Sequence, residues 1–348
     1  MHNLQLTEDQ DLIVDTVRKF VAETIVPRAL EQDEHRSLAR AEFEGLAGLG
    51  LFGLSVGEAS GGAGMGFLPY VAALESIGSH SASVARLLIG QVQGALALEV
   101  AGAAELEAVV GGASVATFVG PEARLSFAAG ALTGTVELVP GGMAADLFVV
   151  AATEGGTPVL VLAEGAAVQR TALRSLGLAS AGPARVQFGR ARVVATGEKA
   201  AGAIARAQLA GWLGVAATCC GGGAESVQIA RRHASERIAF GKPLLVQEAV
   251  KRKLVDSQQR IDQARHLAWH AARLVDLGQP AETAAIQARI AAVDAMVAAA
   301  DEAIQILGGF GYTVEYHVER HYRDGKTLEV LDAGSERLRD HLAAVQFG

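Results

Sequence analysis

Apolar residues recur at helical spacing through the first third of the chain, give way to short β-branched segments, and then resume at helical spacing to the end. Ile13, Val14, Val17, Phe20, Val21 and Ile25 share one helical face, and Thr7 with Gln10 supplies a capping box at its start. Pro27 marks the end of that apolar run or a bend in it. AEFEGLAGLGLFGLSV predicts a second helix ending at glycine, GEASGGAGMG a glycine-rich loop, and further helices follow over 67–79, 81–90 and 92–110.

In 111–195, the segments SVATFVG, LTGTVELV, DLFVVAAT, PVLVLAE and ARVQFGRARVV are separated by Gly, Pro and Asp. No helices are interleaved with them, so they predict an antiparallel sheet rather than a parallel one. Long helical segments return over 204–236, 244–277 and 281–306, with Pro243 and Pro280 at the starts, where proline is tolerated. The fold class is therefore α+β: an N-terminal helical domain (1–110), a short central antiparallel β domain (111–195) and a C-terminal four-helix bundle (196–348).

Composition narrows the function. The 348 residues are half apolar, enough for a large core. A net charge of −8 with no basic stripe argues against a nucleic-acid partner. Cys219 and Cys220 are adjacent, which disfavours a disulfide, and no spaced Cys/His ligand set exists; they read as small buried helix residues in a reducing compartment. The N-terminus lacks an apolar signal core, and apolar stretches such as AAVDAMVAAADEAIQIL are interrupted by Asp294, Asp301 and Glu302. No segment reads as a membrane span, and the expectation is a soluble, cytoplasmic protein.

The candidate chemistry lies in the last third. The loop at 57–66 lacks the Lys-Ser/Thr of a P-loop and the Rossmann spacing, and reads as a turn between helices. SERIAFGKPLLVQ is more specific. Arg237 can pair bidentately with a diphosphate, Phe240 can pack on a flavin or nucleotide face, and Gly241 lets the chain turn close to a ligand. Beyond it runs Gln305, Gly308, Gly309, Phe310, Gly311, Tyr312, then Glu315, Tyr316, Val318, Glu319, Arg320, Arg323, Asp324 and Lys326, and finally the acidic loop Leu331-Asp332-Ala333-Gly334-Ser335-Glu336. Arg323 and Asp324 read as a structural pair, and His321 as a partly exposed helix residue; His317 has no assigned role.

These segments, at this separation, resemble the C-terminal signature of the FAD-dependent acyl-CoA dehydrogenases, and the resemblance extends over nearly the whole chain. It implies FAD bound at a subunit interface, with Arg237, Phe240, Gln305, Gly308 and Gly309 contributed in trans to a neighbour's flavin. It also implies an acyl-CoA substrate and an electron-transfer flavoprotein, or a similar carrier, as acceptor. The half supplied by the flavin's own subunit departs from the family. TFVGPEARLSF stands in place of a Thr-Glu-Pro-x-x-Gly-Ser-Asp loop, the flavin-facing Trp strand has no Trp, and Asp332 and Gly334 replace the catalytic Glu and a flavin-contacting Thr.

Asp332 is thus either a shortened base or a loop acid before a Ser335 helix cap. The uneven loss implies a heteromer with a second acyl-CoA dehydrogenase-like subunit. The alternatives are a homomeric flavoenzyme using Asp332, like an acyl-CoA dehydrogenase or nitroalkane oxidase, and a non-catalytic scaffold.

Overall fold

The computed structural model describes residues 4–239 and 241–348. Helix α1 (Glu8–Phe20) opens on the predicted capping box: Gln10 N donates to Thr7 Oγ1 at 3.3 Å and Thr7 N to Gln10 Oε1 at 3.0 Å. A π-helical turn (Val21–Ile25) leads into Pro27, where the helix cannot continue. Helices α2 (Ala29–His35) and α3 (Arg40–Gly48) follow. The glycine-rich stretch is a turn, closed in part by Ser55 Oγ donating to the Gly66 carbonyl at 2.8 Å.

Helix α4 (Leu68–Gly78) leads into α5 (Ala82–Ala101) and a short α6 (Leu106–Val110). The expected division between 90 and 92 does not occur: α5 is one helix of 20 residues, capped by Ser81. Its glycines serve packing instead. A Cβ at Gly94 would lie 3.0 Å from Ala116 Cβ, so the missing side chain lets α5 lie against the sheet.

Nine strands follow: β1 (Ala116–Val119), β2 (Leu125–Ala128), β3 (Ala131–Thr133), β4 (Thr135–Val139), β5 (Leu147–Glu154), β6 (Thr157–Glu164), β7 (Gln169–Ala172), β8 (Ala184–Gln187) and β9 (Arg192–Thr196). One sheet runs β3-β2-β5-β6-β9 with β1 also on β5, and a second runs β4-β8-β7. The pairings are antiparallel except that β1 and β2 both run parallel to β5. The sheets share a core in which Phe148 and Phe188 meet edge to face at 5.6 Å.

Helix α7 (Gly197–Glu236) is followed by a small hairpin of β10 (Ile238–Ala239) and β11 (Lys242–Pro243). Then come α8 (Glu248–Asp276), α9 (Glu282–Leu307), α10 (Val318–Val330) and α11 (Gly334–Phe347). Cys219 and Cys220 are free and buried in α7.

Helix α4 rests on α7 through paired glycines: a Cβ at Gly78 would lie 2.6 Å from Thr218 Cα, and one at Gly221 would run into the Glu75 carbonyl. Asp276, at the end of α8, accepts from the amides of Phe67 and Leu68 at 2.6 and 3.2 Å. The first turn of α4 is therefore capped by a side chain 208 residues further along the chain.

Helices α5 and α7 are each long and apolar enough to cross a bilayer, which corrects the expectation that no segment is. Within the fold, 89% and 78% of their apolar windows are buried, as befits core helices.

Candidate active site

The loop joining α10 to α11 carries Asp332, and two buried arginines hold it. Arg289 of α9 donates from Nη2 to the carbonyl of Leu328 at 3.1 Å and to that of Leu331. Arg86 of α5 donates from Nη2 to Asp332 Oδ1 at 3.1 Å and from Nη1 to Gln93 Oε1 at 3.2 Å. Gln93 is fixed in turn by the Ala207 carbonyl of α7, 3.2 Å from its Nε2. The Arg86 side chain is 2% exposed and that of Asp332 20%. Asp332 and Ala333 both have positive φ, 50° and 78°, a conformation that costs a non-glycine residue energy and that these contacts maintain.

Ser335 does not cap α11, which corrects that part of the reading. The residue flanking the helix is Ala333, and Ser335 is buried in the first turn.

A cavity of about 520 Å³ separates this loop from the edge of the sheet. Arg86 and Asp332 lie on its wall with apolar Phe118, Val136, Leu138 and Pro140. Glu122, in the turn after β1, faces the same space. A Cβ at Gly120 would run into the Glu122 carboxyl, so Gly120 leaves the room that the carboxyl occupies. Burial, and then the nearby Asp332 charge, push the Glu122 pKa up to about 7 against the pull of its own backbone amide, Arg86 and Arg289.

The other predicted residues gather at a different place. Helices α7 and α9 end side by side, with Ala230, Ala234, Ala303, Ile306 and Leu307 in one small core. Arg237 follows α7, and Gln305 to Gly309 close α9. Arg237, Gln305, Gly308 and Gly309 are exposed, and neither polar side chain has a hydrogen-bond partner among the described residues. Gly308 has φ 62° and ψ −132°, a conformation reserved for glycine. A Cβ at Gly309 would meet nothing, so the backbone there is open to a ligand. Phe310, 52% exposed, packs with Tyr316 at 5.7 Å and His233 at 6.2 Å. Phe240 lies outside the described residues.

Two neighbouring readings change. His321 is buried, with Nδ1 2.8 Å from Ser226 Oγ, and burial holds its pKa well below the usual histidine range. Arg323 and Asp324 do not pair, because consecutive helix residues point apart. Arg323 binds Asp33 and Glu319, both at 2.6 Å, while Asp324 accepts from the Leu178 amide at 2.6 Å.

Arg86, Arg289 and Glu122 were not singled out from sequence. The available signal was a lone arginine inside each of two otherwise apolar helical runs, SVARLLIG and QARIAAV. Glu122 carried none.

A helical layer, a small sheet and a helical bundle thus meet around an acidic loop, with free donors at a separate glycine turn. The chain belongs to the acyl-CoA dehydrogenase family: residues 7–109 match its N-terminal domain and 210–347 its C-terminal domain. It is 29% identical to the mitochondrial short-chain specific acyl-CoA dehydrogenase of Homo sapiens, over 96% of this chain and 89% of that protein. It is 28% identical to an acyl-CoA dehydrogenase of Bacillus subtilis, over 96% of each.

Among solved structures, butyryl-CoA dehydrogenase from Megasphaera elsdenii superposes with a TM-score of 0.90 at 24% identity, covering 100% of both chains. The family uses FAD, and one structural neighbour, a glutaryl-CoA dehydrogenase from Mycobacterium smegmatis, is a complex with FADH2. The exposed guanidinium of Arg237, the free amide of Gln305 and the open backbone at Gly309 fit such a group.

Proposed function

We propose that this chain is one subunit of a heteromeric acyl-CoA dehydrogenase and gives Arg237, Phe240, Gln305, Gly308 and Gly309 to a flavin held mainly by a different, homologous subunit. FAD supplies the hydride acceptor for α,β-dehydrogenation of an acyl-CoA thioester. In this reading Arg237 offers parallel donors to the diphosphate, Gln305 a further donor, and the Gly308-Gly309 turn lets the backbone approach closely. The partner carries the carboxylate that takes the α-proton, the reaction runs in the cytoplasm, and electrons leave to an electron-transfer flavoprotein or similar carrier.

The observation that supports this reading is a contrast. The acid at the base position of the chain's own family loop, Asp332, is occupied by buried Arg86, whereas Arg237 and Gln305, offered to a neighbour's flavin, are exposed and have no side-chain hydrogen-bond partner among the described residues. A base must be free to reach its proton, and small misplacements of a reacting group lower rates strongly. The second reading, a homomeric enzyme with Asp332 as base, is favoured by the position of Asp332 on a 520 Å³ cavity and requires its release from Arg86.

Expression alone, and together with homologous subunits encoded nearby, tests the proposal through the flavin absorbance of the purified protein. Flavin is expected only in the mixed complex. Stoichiometric FAD in the chain alone, bleached by an acyl-CoA, would overturn the heteromer and favour the second reading.

A further inference from the structure

A second cavity, of about 420 Å³, lies where α4 and α8 flank α7, with Arg18 of α1 on its wall. It shares no residue with the acidic-loop cavity or with the glycine turn. Helical spacing builds it. Glu75, Ser76 and Ser79 lie on one side at the end of α4, Gly221, Glu225 and Gln228 share a face of α7, and Arg265 and Trp269 a face of α8. Its volume is enough to enclose a small organic molecule.

The charges on its wall favour a cation. Arg265 is shared between Glu75, at 2.6 Å, and Asp262, and Arg18 is paired with Asp15 at 2.7 Å, so both positive groups are taken. Glu225, half-buried, has no ion pair or hydrogen bond among the described residues. Burial raises its pKa, and Arg232, two turns further along α7, pulls the other way without pairing with it. The cavity therefore holds a carboxyl that water solvates poorly and no side chain neutralises.

The hydrogen-bonding groups narrow the ligand. Ser76 donates its hydroxyl proton to the Ala72 carbonyl at 3.1 Å, which leaves its oxygen as an acceptor beside the carboxyl groups. Two donors stand among these acceptors. Trp269 Nε1 is buried without a partner, and Gln228 has its Oε1 taken by Arg231 at 3.1 Å, which leaves its amide nitrogen. A buried donor without an acceptor is costly, so the indole N–H calls for an oxygen that the folded chain does not supply.

We propose that this cavity binds a primary alkylammonium compound that also carries a neutral oxygen, an amino alcohol or an amino amide. The ammonium group donates to Glu225 and to the acceptors of α4. The Trp269 ring covers the alkyl chain, and the ligand oxygen accepts from Trp269 Nε1. A quaternary ammonium has no N–H to donate, and an anion would meet Glu75 and Glu225. This binding requires neither flavin nor a partner subunit.

The chain has two tryptophans, Trp212 and Trp269, so isotopic labelling of the indole nitrogens gives two N–H resonances. Titration of the full-length chain with aminohexanol, its N-trimethyl analogue, hexylamine and hexanol tests the site. Aminohexanol is expected to shift the Trp269 resonance and leave that of Trp212 in place. It should bind about tenfold more tightly than hexanol or the trimethyl analogue, as the loss of a charged hydrogen bond implies. Hexylamine should bind several-fold more weakly than aminohexanol.

Glu225→Gln breaks no contact in the fold and is expected to weaken aminohexanol binding about tenfold. Trp269→Phe identifies the resonance and should erase the preference for aminohexanol over hexylamine. An unmoved Trp269 resonance, equal affinity for aminohexanol and hexanol, or full affinity in Glu225→Gln would each overturn the proposal.

Discussion

The guanidinium of Arg86 and the carboxylate of Asp332 meet at 3.1 Å across 246 residues of sequence. The contact pins the α10–α11 loop to the second turn of α5, at the position where the family signature has its catalytic acid. Breaking one side leaves a charge stranded in a poorly solvated site. Arg86→Met is expected to lower the unfolding free energy in urea by about 3 kcal/mol. Arg86→Met/Asp332→Leu should recover most of that loss. Equal stability of the single and double variants would show that the pair is energetically idle.

Arg237 is the converse case. Its side chain is exposed and has no hydrogen-bond partner among the described residues, so the fold does not depend on it. Arg237→Ala should leave the melting temperature of the isolated chain within about 1 °C, since such surface changes stay within roughly 0.5 kcal/mol. The same variant in a co-expressed complex should lower the flavin-to-protein ratio. Unaltered flavin content would instead support a scaffold role.

Glu122 gives a pH signature. Its pKa in the fold is about 7, against an ordinary value of 4.5, so the folded protein binds more protons than the unfolded chain between those values. Its contribution to stability is full at low pH and is lost as pH rises through about 7. Glu122→Gln should therefore match the unsubstituted protein near pH 4, below the ordinary value, and exceed it at pH 8 in urea unfolding. A difference that does not change with pH would contradict this assignment.

The α4–α7 contact depends on having no side chain at two positions. A Cβ at Gly221 would collide with the Glu75 carbonyl, which is backbone and cannot swing aside. Gly221→Ala, normally a gain in a helix, should instead cost on the order of 3 kcal/mol by thermal or urea unfolding. Gly48→Ala, where an added Cβ meets nothing, serves as the control and should be neutral or stabilising.

Much of the fold could be read from local pattern, because helix caps, proline and glycine act over a few residues. The Thr7–Gln10 capping box and the helical, sheet, helical order are of this kind. The missed detail was non-local. α5 runs unbroken through Gly90 and Gly94 because those glycines face the sheet, and β1 lies parallel to β5 although no α-helix joins them.

The sequence by itself determined the family, through the run from Arg237 to the acidic loop, and it named the residues that end α7 and α9. Only the tertiary structure decided what Asp332 touches. Its partner Arg86 and the nearby Glu122 come from distant segments, and no spacing rule links residues that far apart. Burial then sets their chemistry: a carboxyl that water would hold near 4.5 rises to about 7 once folding removes the solvent. Local pattern fixes which residues are available, while desolvation and long-range pairing fix what each can do.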